Sequence, residues 1–362
     1  PAARDRAPAS RVVGAIWWTV RFLGALFLFV GALQLMKTGA ASLDILQEGG
    51  FLVKNSGATL GLGWIGALFV LSGSPVAATA LTLVAAESIT EIEGFTMLTG
   101  SRLGAAFVVL VVAVIYALRG GAGERLKPVS TAIMALSTTA VIYVPAAVLG
   151  LALLRWSPYS SLDLQFPARF GDLLEFVYGG LLSRVETLPA VIVFLGGLGV
   201  LLLSFKLIDG VMPTLDEQTL GDRRMQWLRQ KWSMFALGCL VALVTMSVSV
   251  ALAVLVPLVA KRYAKREDII PYIMGANITT LGDTFIAALA LHSPAAVRIV
   301  LAGVISTSVL SVIVLAFFYP QLRTLIFRFQ RQMLKSKPRL AAFTAGLFVV
   351  PLVTIALSNL AA

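Results

Sequence analysis

Apolar runs of about twenty residues, long enough to cross a ~30 Å hydrocarbon layer as helices, recur between short charged stretches. They fall at Phe22–Ala41, Gly94–Leu118, Val129–Leu154, Thr187–Ile208, Ile269–Leu291, Val297–Phe318 and Leu340–Leu360, and predict seven membrane-spanning helices. Two further runs are interrupted. Leu60–Ala86 is broken by Ser72-Gly73-Ser74-Pro75, and Phe235–Ala260 by Ser247-Val248-Ser249. Each broken piece is about ten residues, too short to cross alone. The runs are continuous rather than alternating, which excludes a β-barrel.

The two interrupted runs are related. A shift of 175 residues lays Ser72 and Ser74 on Ser247 and Ser249, Leu83-Val84-Ala85 on Leu258-Val259-Ala260, and Gly100 on Gly275. An internal repeat of this size marks the halves of a secondary transporter. The turn after the first serine segment carries Glu87, Glu91 and Glu93 with no Lys or Arg. Its counterpart carries Lys261, Arg262, Lys265 and Arg266 against Glu267 and Asp268. Equivalent loops of opposite charge bias belong on opposite membrane faces, so the halves are expected to be inverted.

Loop charge also decides how the interrupted runs lie. If each enters and returns on one side as a re-entrant hairpin, all the strongly basic segments face the cytoplasm. These are the arm with Arg4, Arg6 and Arg11, Arg119–Pro128, Asp209–Lys231, Lys261–Asp268 and Arg323–Arg339. The expected fold is an all-α integral membrane protein with two inverted-topology repeats, seven spans and two re-entrant helical hairpins. Its N-terminus is inside and its C-terminus outside, in a cell inner (plasma) membrane. The divisions are a basic arm (1–21), repeat one (22–155, hairpin 60–86), a connector (156–186), repeat two (187–319, hairpin 235–260), a basic connector (320–339) and a last span (340–362).

Composition agrees. The chain of 362 residues is 58% hydrophobic and 13% charged, with a mean hydropathy of +0.90. Its net charge of +11 sits between apolar runs, as loop orientation demands, so nucleic acid is not an expected partner. One cysteine, Cys239, and one histidine, His292, leave no intrachain disulfide and no Cys/His metal cluster. No cleavable leader is evident, since the first apolar run is long enough to remain as an anchor. No triad, phosphate-binding Walker loop or metal motif supports an enzyme or an ATP-driven pump.

Hairpin tips put non-helical backbone at membrane depth, which is tolerated where protein or a water-filled cavity satisfies it. Serine hydroxyls and free N–H groups at a helix N-terminus suit an anion. Ser72, Ser74, Ser247 and Ser249, with Gly73 and Val248 between them, are therefore candidate substrate ligands. The alternative is that they are small residues for close helix packing. Two charges lie inside spans. Arg102 could contact an anion through its planar fork, and Asp283 could titrate and couple transport to protons; alternatively the two form a buried ion pair joining the halves. Arg21 and Lys37 are expected to snorkel to opposite interfaces, His292 to sit exposed in a turn, and Arg323–Arg339 to lie on the anionic inner leaflet.

Phe27-Leu28-Phe29-Val30-Gly31-Ala32-Leu33-Gln34-Leu35-Met36, the two Ser-x-Ser segments and Gly275-Ala276-Asn277-Ile278-Thr279-Thr280 resemble the sodium/phosphate cotransporter family. The resemblance covers roughly residues 22–320. It implies a symporter that moves inorganic phosphate with sodium, the phosphate held between serine tips and Asn277, Thr279 and Thr280. Ion coupling falls to Asp283, Asn277 and Thr245. Leu71 and Met246 stand where the family has glutamine, and Arg102 where it has asparagine, so oxygen ligands for sodium are fewer and a proton is the alternative coupling ion. The expected function is secondary transport of phosphate or a phosphate-bearing solute by alternating access, with no bound cofactor beyond sodium and a homodimer compatible with the fold. The alternative is a non-transporting membrane protein, a scaffold, regulator or handler of lipid phosphates.

Overall fold

A computed structural model describes residues 8–43, 55–119, 126–161, 168–185, 187–209, 230–245, 251–252 and 268–360. Among these residues all regular structure is helical. The N-terminal part contains α1 (Pro8–Ala40), α2 (Ser56–Val70), α3 (Ser74–Ala85), α4 (Glu91–Ala105), α5 (Phe107–Arg119) and α6 (Leu126–Arg155). A short α7 (Ser157–Ser160) and α8 (Ala168–Val185) follow, then α9 (Ala190–Asp209) and α10 (Lys231–Thr245). The C-terminal part contains α11 (Ile269–Thr279), α12 (Leu281–Ala290), α13 (Pro294–Ile313), α14 (Tyr319–Leu334) and α15 (Lys337–Leu360).

Among the described residues, seven helical stretches are long and apolar enough to cross a membrane: Thr19–Ala40, Glu91–Leu118, Lys127–Arg155, Ala190–Ile208, Ile269–Ala290, Pro294–Leu334 and Lys337–Leu360. The outer surface is apolar as well. Phe176 is 87% exposed and Phe69 79%, a surface suited to lipid rather than water. The chain is thus a multi-pass, all-helical membrane protein.

Two short helices, α2 and α3, fill the first interrupted run; of the second, α10 covers the start, and residues 246–250 and 253–260, with the expected second hairpin turn, lie outside the described residues. Asn55 caps α2, its side chain accepting from Gly57 N at 3.1 Å and Ala58 N at 2.9 Å. Its amide also donates to Ser358 O on α15 at 2.9 Å, which ties the last helix to α2. Leu71 ends α2 in the left-handed region at φ 55°. After Ser72 and Gly73, α3 starts with Pro75 in its first turn, where a missing N–H costs nothing.

Glycines set the helix crossings. A Cβ on Gly100 would lie 2.0 Å from Leu60 O, and one on Gly63 2.1 Å from Met97 O, so α2 and α4 touch backbone to backbone. The pair α10 and α11 repeats the contact: a Cβ on Gly275 would lie 2.0 Å from Phe235 O, and one on Gly238 2.0 Å from Tyr272 O. Without a hydrophobic force between helices in lipid, such close approach is what holds them together.

Three spans depart from plain rods. The stretch from Glu91 is interrupted at Ala106, after a capping box in which Thr90 and Glu93 satisfy each other's backbone N–H. The stretch from Ile269 is interrupted at Thr280. The third is continuous where a span and a separate basic connector were expected. A π turn over Val314–Phe318 carries α13 directly into α14. Pro320 has no N–H to offer the preceding turn, and the Lys231 ammonium takes the Leu315 carbonyl at 2.8 Å. The segment expected to be a connector likewise contains a helix, α8. Tyr178 docks it on α1, donating to Phe27 O at 2.9 Å beside Gly31.

Candidate functional site

The interruptions at Ala106 and Thr280 frame a buried polar cluster. Arg102 lies one turn before the first and is 2% exposed; Asp283 lies just after the second and is 5% exposed. Arg102 Nη2 stands 3.7 Å from Asp283 Oδ1 and donates to the Thr284 hydroxyl. Thr284 in turn donates to Asp283 Oδ1 at 2.8 Å. One hydroxyl therefore relays between cation and carboxylate, and the pair is joined at a single corner.

The rest of both charged groups is open. Arg102 Nε and Nη1 and Asp283 Oδ2 are buried with no hydrogen-bond partner. A buried unsatisfied polar atom costs about 1–3 kcal/mol, and more when charged, so three at one place call for an explanation. A purely structural Arg–carboxylate pair would be expected to close both oxygens onto the fork.

Three further elements line the cluster. Gly73 packs on α4, its would-be Cβ 2.9 Å from both Ala105 Cβ and Ser101 O, which delivers the start of α3 to the Arg102 turn. Ser74, buried as the first residue of α3, reaches the Asp283 carboxylate without closing a hydrogen bond onto Oδ2. From α6, Tyr143 is buried beside Arg102, Asp283 and Thr280, and donates to Asn277 O at 2.7 Å. The Asn277 amide donates to Thr139 Oγ1 at 3.2 Å, and the neighbouring Thr138 hydroxyl is buried with no partner.

The sequence-derived residues divide accordingly. Ser74, Gly73, Arg102, Asn277, Thr280 and Asp283 come together; the contact between Arg102 and Asp283 that the sequence offered as an alternative to a ligand role is present. Ser72 is half-buried at the tip. Thr279 points elsewhere, donating to Cys239 O on α10 at 2.8 Å, because one helical step rotates it by about 100° from Thr280. Thr245 donates back to Val241 O within α10. Ser247, Val248 and Ser249 lie outside the described residues. His292, expected exposed, is half-buried in a left-handed turn, its Cε1 3.6 Å from where a Cβ on Gly171 of α8 would stand.

Tyr143, Thr138, Thr139 and Thr284 were missed. The signal available was a run of hydroxyls, Ser137-Thr138-Thr139, one helical turn before Tyr143 in an otherwise apolar span. A second charged contact was missed too. Arg298 on α13 forks onto both oxygens of Glu91, Nε to Oε2 at 3.3 Å, while Tyr159 donates to Arg298 O at 2.6 Å. Burial pushes the Tyr159 hydroxyl up to about 12, so it stays a donor.

Among the described residues no group of three or more His, Cys, Asp or Glu could hold a metal ion. No protein-family model, no curated protein and no solved structure matches the chain.

Proposed function

We propose that this chain is a secondary transporter of an oxyanion, inorganic phosphate or a phosphate-bearing solute, working by alternating access around the Arg102–Asp283 cluster. The observation that carries the reading is a fixed guanidinium, buried and only partly satisfied, at a junction of broken helices within the membrane. Charges at that depth face substrate or ion paths as a rule, and broken helices form the sites of such transporters.

The 175-residue register supports the two-fold architecture. It maps Gly63 and Gly100 onto Gly238 and Gly275, which make the same backbone contacts in their own helix pair. It also brings the interruption at Ala106 within a residue of that at Thr280, and Pro145 onto Pro320. The halves are read as inverted repeats, α2 and α3 as the re-entrant hairpin of the first, in a plasma membrane with the N-terminus inside. The same register places Arg102 opposite Asn277, a tethered cation where the other half keeps an amide.

Reconstitution tests this. Proteoliposomes loaded with the full chain are expected to accumulate radiolabelled phosphate under an imposed sodium or proton gradient, and the gradient that works names the coupling ion. Absence of uptake under both gradients, with Arg102→Ala indistinguishable from the parent, would leave the non-transporting reading in possession. That reading draws on the same 3.7 Å contact, taken as a joint between the halves.

A further inference from the structure

The last helix stands partly away from the bundle. Only Pro351 of α15 is buried. Its far end is tied to α2 by Asn55 and by Gly61, whose would-be Cβ lies 2.6 Å from Pro351 O. Nearer its start two aromatic contacts hold it. Phe348 meets Phe107 of α5 edge-on at 5.3 Å, and Phe343 meets Phe329 of α14 at 5.7 Å. Above the first of these, α15 and α5 are separated by an open crevice of about 310 Å³. Val111 and Ile115 of α5 form one wall, Leu340 and Thr344 of α15 the other, with Val129 of α6 beside them. Its one hydroxyl, on Thr344, already donates to Leu340 O at 3.0 Å, so the walls give water little to bond. From Leu340 to Phe348 the slot runs about 12 Å at 1.5 Å per helical residue. Left empty, it would forfeit the dispersion contacts of its walls; opening on lipid, it suits a hydrocarbon chain.

The mouth of the slot is cationic. Leu340 follows Lys337 and Arg339, both exposed, and Val129 follows Lys127, so the slot begins where hydrocarbon gives way to headgroups. From Tyr319 to Leu360 the chain carries six Lys or Arg and no Asp or Glu. Among the described residues no carboxylate lies within ion-pair distance of Lys335, Lys337 or Arg339. The positive end of the α15 dipole falls at the same place. We infer that the crevice between α5 and α15 binds one anionic phospholipid. An acyl chain lies against Val111, Ile115 and Thr344, and the phosphodiester headgroup is held by Lys337 and Arg339. The slot asks for a chain, which a free anion lacks, and the cations disfavour a zwitterionic lipid, whose ammonium adds positive charge to a positive rim. This site is separate from the Arg102–Asp283 cluster and does not depend on the transport reading. Because α15 is fixed to α2, which leads into Gly73 and Ser74, a bound lipid also steadies the support of that turn.

The purified full chain in a neutral detergent tests this. Phosphatidylglycerol and phosphatidylcholine with identical chains are titrated as mixed micelles and read by thermal shift and native mass spectrometry. One phosphatidylglycerol is expected to bind about tenfold or more tightly than phosphatidylcholine. Lys337→Gln with Arg339→Gln should abolish that preference, whereas Arg328→Gln, on the exposed side of α14, should keep it. Val111→Phe fills the slot with protein and should remove the phosphatidylglycerol shift without lowering the melting temperature of the lipid-free protein. Lys337 and Arg339 are exposed, so their exchange leaves the fold intact and the charge comparison stands even if Val111→Phe folds poorly. Glycerophosphoglycerol, the same headgroup without chains, should give no shift that depends on Lys337 and Arg339; one that does makes this a headgroup site without a slot and overturns the inference. Equal affinity for the two lipids overturns it as well. So does a preference that falls as far with Arg328→Gln as with the Lys337 and Arg339 change, which is the mark of diffuse surface charge. Each of these results leaves the transport reading as it was.

Discussion

Arg102 and Asp283 each make the other tolerable at membrane depth, and their side chains, 1% and 6% exposed, have little recourse to water. Removing one partner strands the other: Arg102→Met is expected to cost about 3–5 kcal/mol, whereas the double change Arg102→Met with Asp283→Leu should recover most of that loss. Thermal unfolding of the four proteins in one detergent closes the cycle. A double variant no more stable than the single would show that the two charges are not one unit. The expected transport outcome differs, since the stabilised double variant has lost both the fork and the acceptor. The Glu91–Arg298 contact is a milder case, its side chains 29% and 16% exposed, and water shares the pairing. Its carbonyl is held by Tyr159, whose pKa of about 12 is raised mainly by burial. The stabilising effect of that neutral hydroxyl is complete below its ordinary value near 10 and is lost as pH rises through about 12. At this scale the sequence exposed both in-span charges, because apolar surroundings make a charge conspicuous. It did not expose Tyr143 or Thr284, whose side chains are ordinary in any helix until neighbours are known.

Helices in this protein meet where side chains vanish. Gly100→Ala would drive a methyl group to 2.0 Å from the Leu60 carbonyl, and Gly275→Ala to 2.0 Å from that of Phe235. Backbone cannot yield as a flexible side chain can, so each change is expected to destabilise by about 1–3 kcal/mol or more. Gly196→Ala, with nothing within 4 Å of the new methyl, should be silent. Melting temperatures of the three in detergent check this, and equal losses at Gly100 and Gly275 are required if the two crossings are equivalent. Gly100 and Gly275 were already matched by the sequence shift, while Gly63 and Gly238 emerge only as contact partners. Element boundaries were legible where chemistry marks them, as at Ser72–Pro75. They were not legible at α13, where a proline that ordinarily ends a helix is absorbed by a π turn and a lysine from another element.

For the molecule as a whole, the proposed inverted arrangement makes a claim about sides. In a chain with Cys239 replaced by alanine, cysteines at Glu87 and Lys265 should react with an impermeant maleimide from opposite faces of sealed vesicles. Labelling of both from one face would undo the proposed two-fold architecture. The amino-acid sequence alone determined the solvent, the number and approximate extent of the spans, and the helix break at Ser72–Pro75, but not the interruptions at Ala106 and Thr280. What it determined follows from hydropathy and backbone chemistry, which act over one or two turns of chain. Only the tertiary structure decided that Arg102 meets Asp283 at one corner, that Thr284 stands between them, and that Tyr143 and Thr138 line the same place. Residues 102, 143 and 283 come from separate helices, and nothing local to any of them encodes the distance to the others. That distance is set by the glycine crossings and helix interruptions that fix how deeply each helix sits against the next.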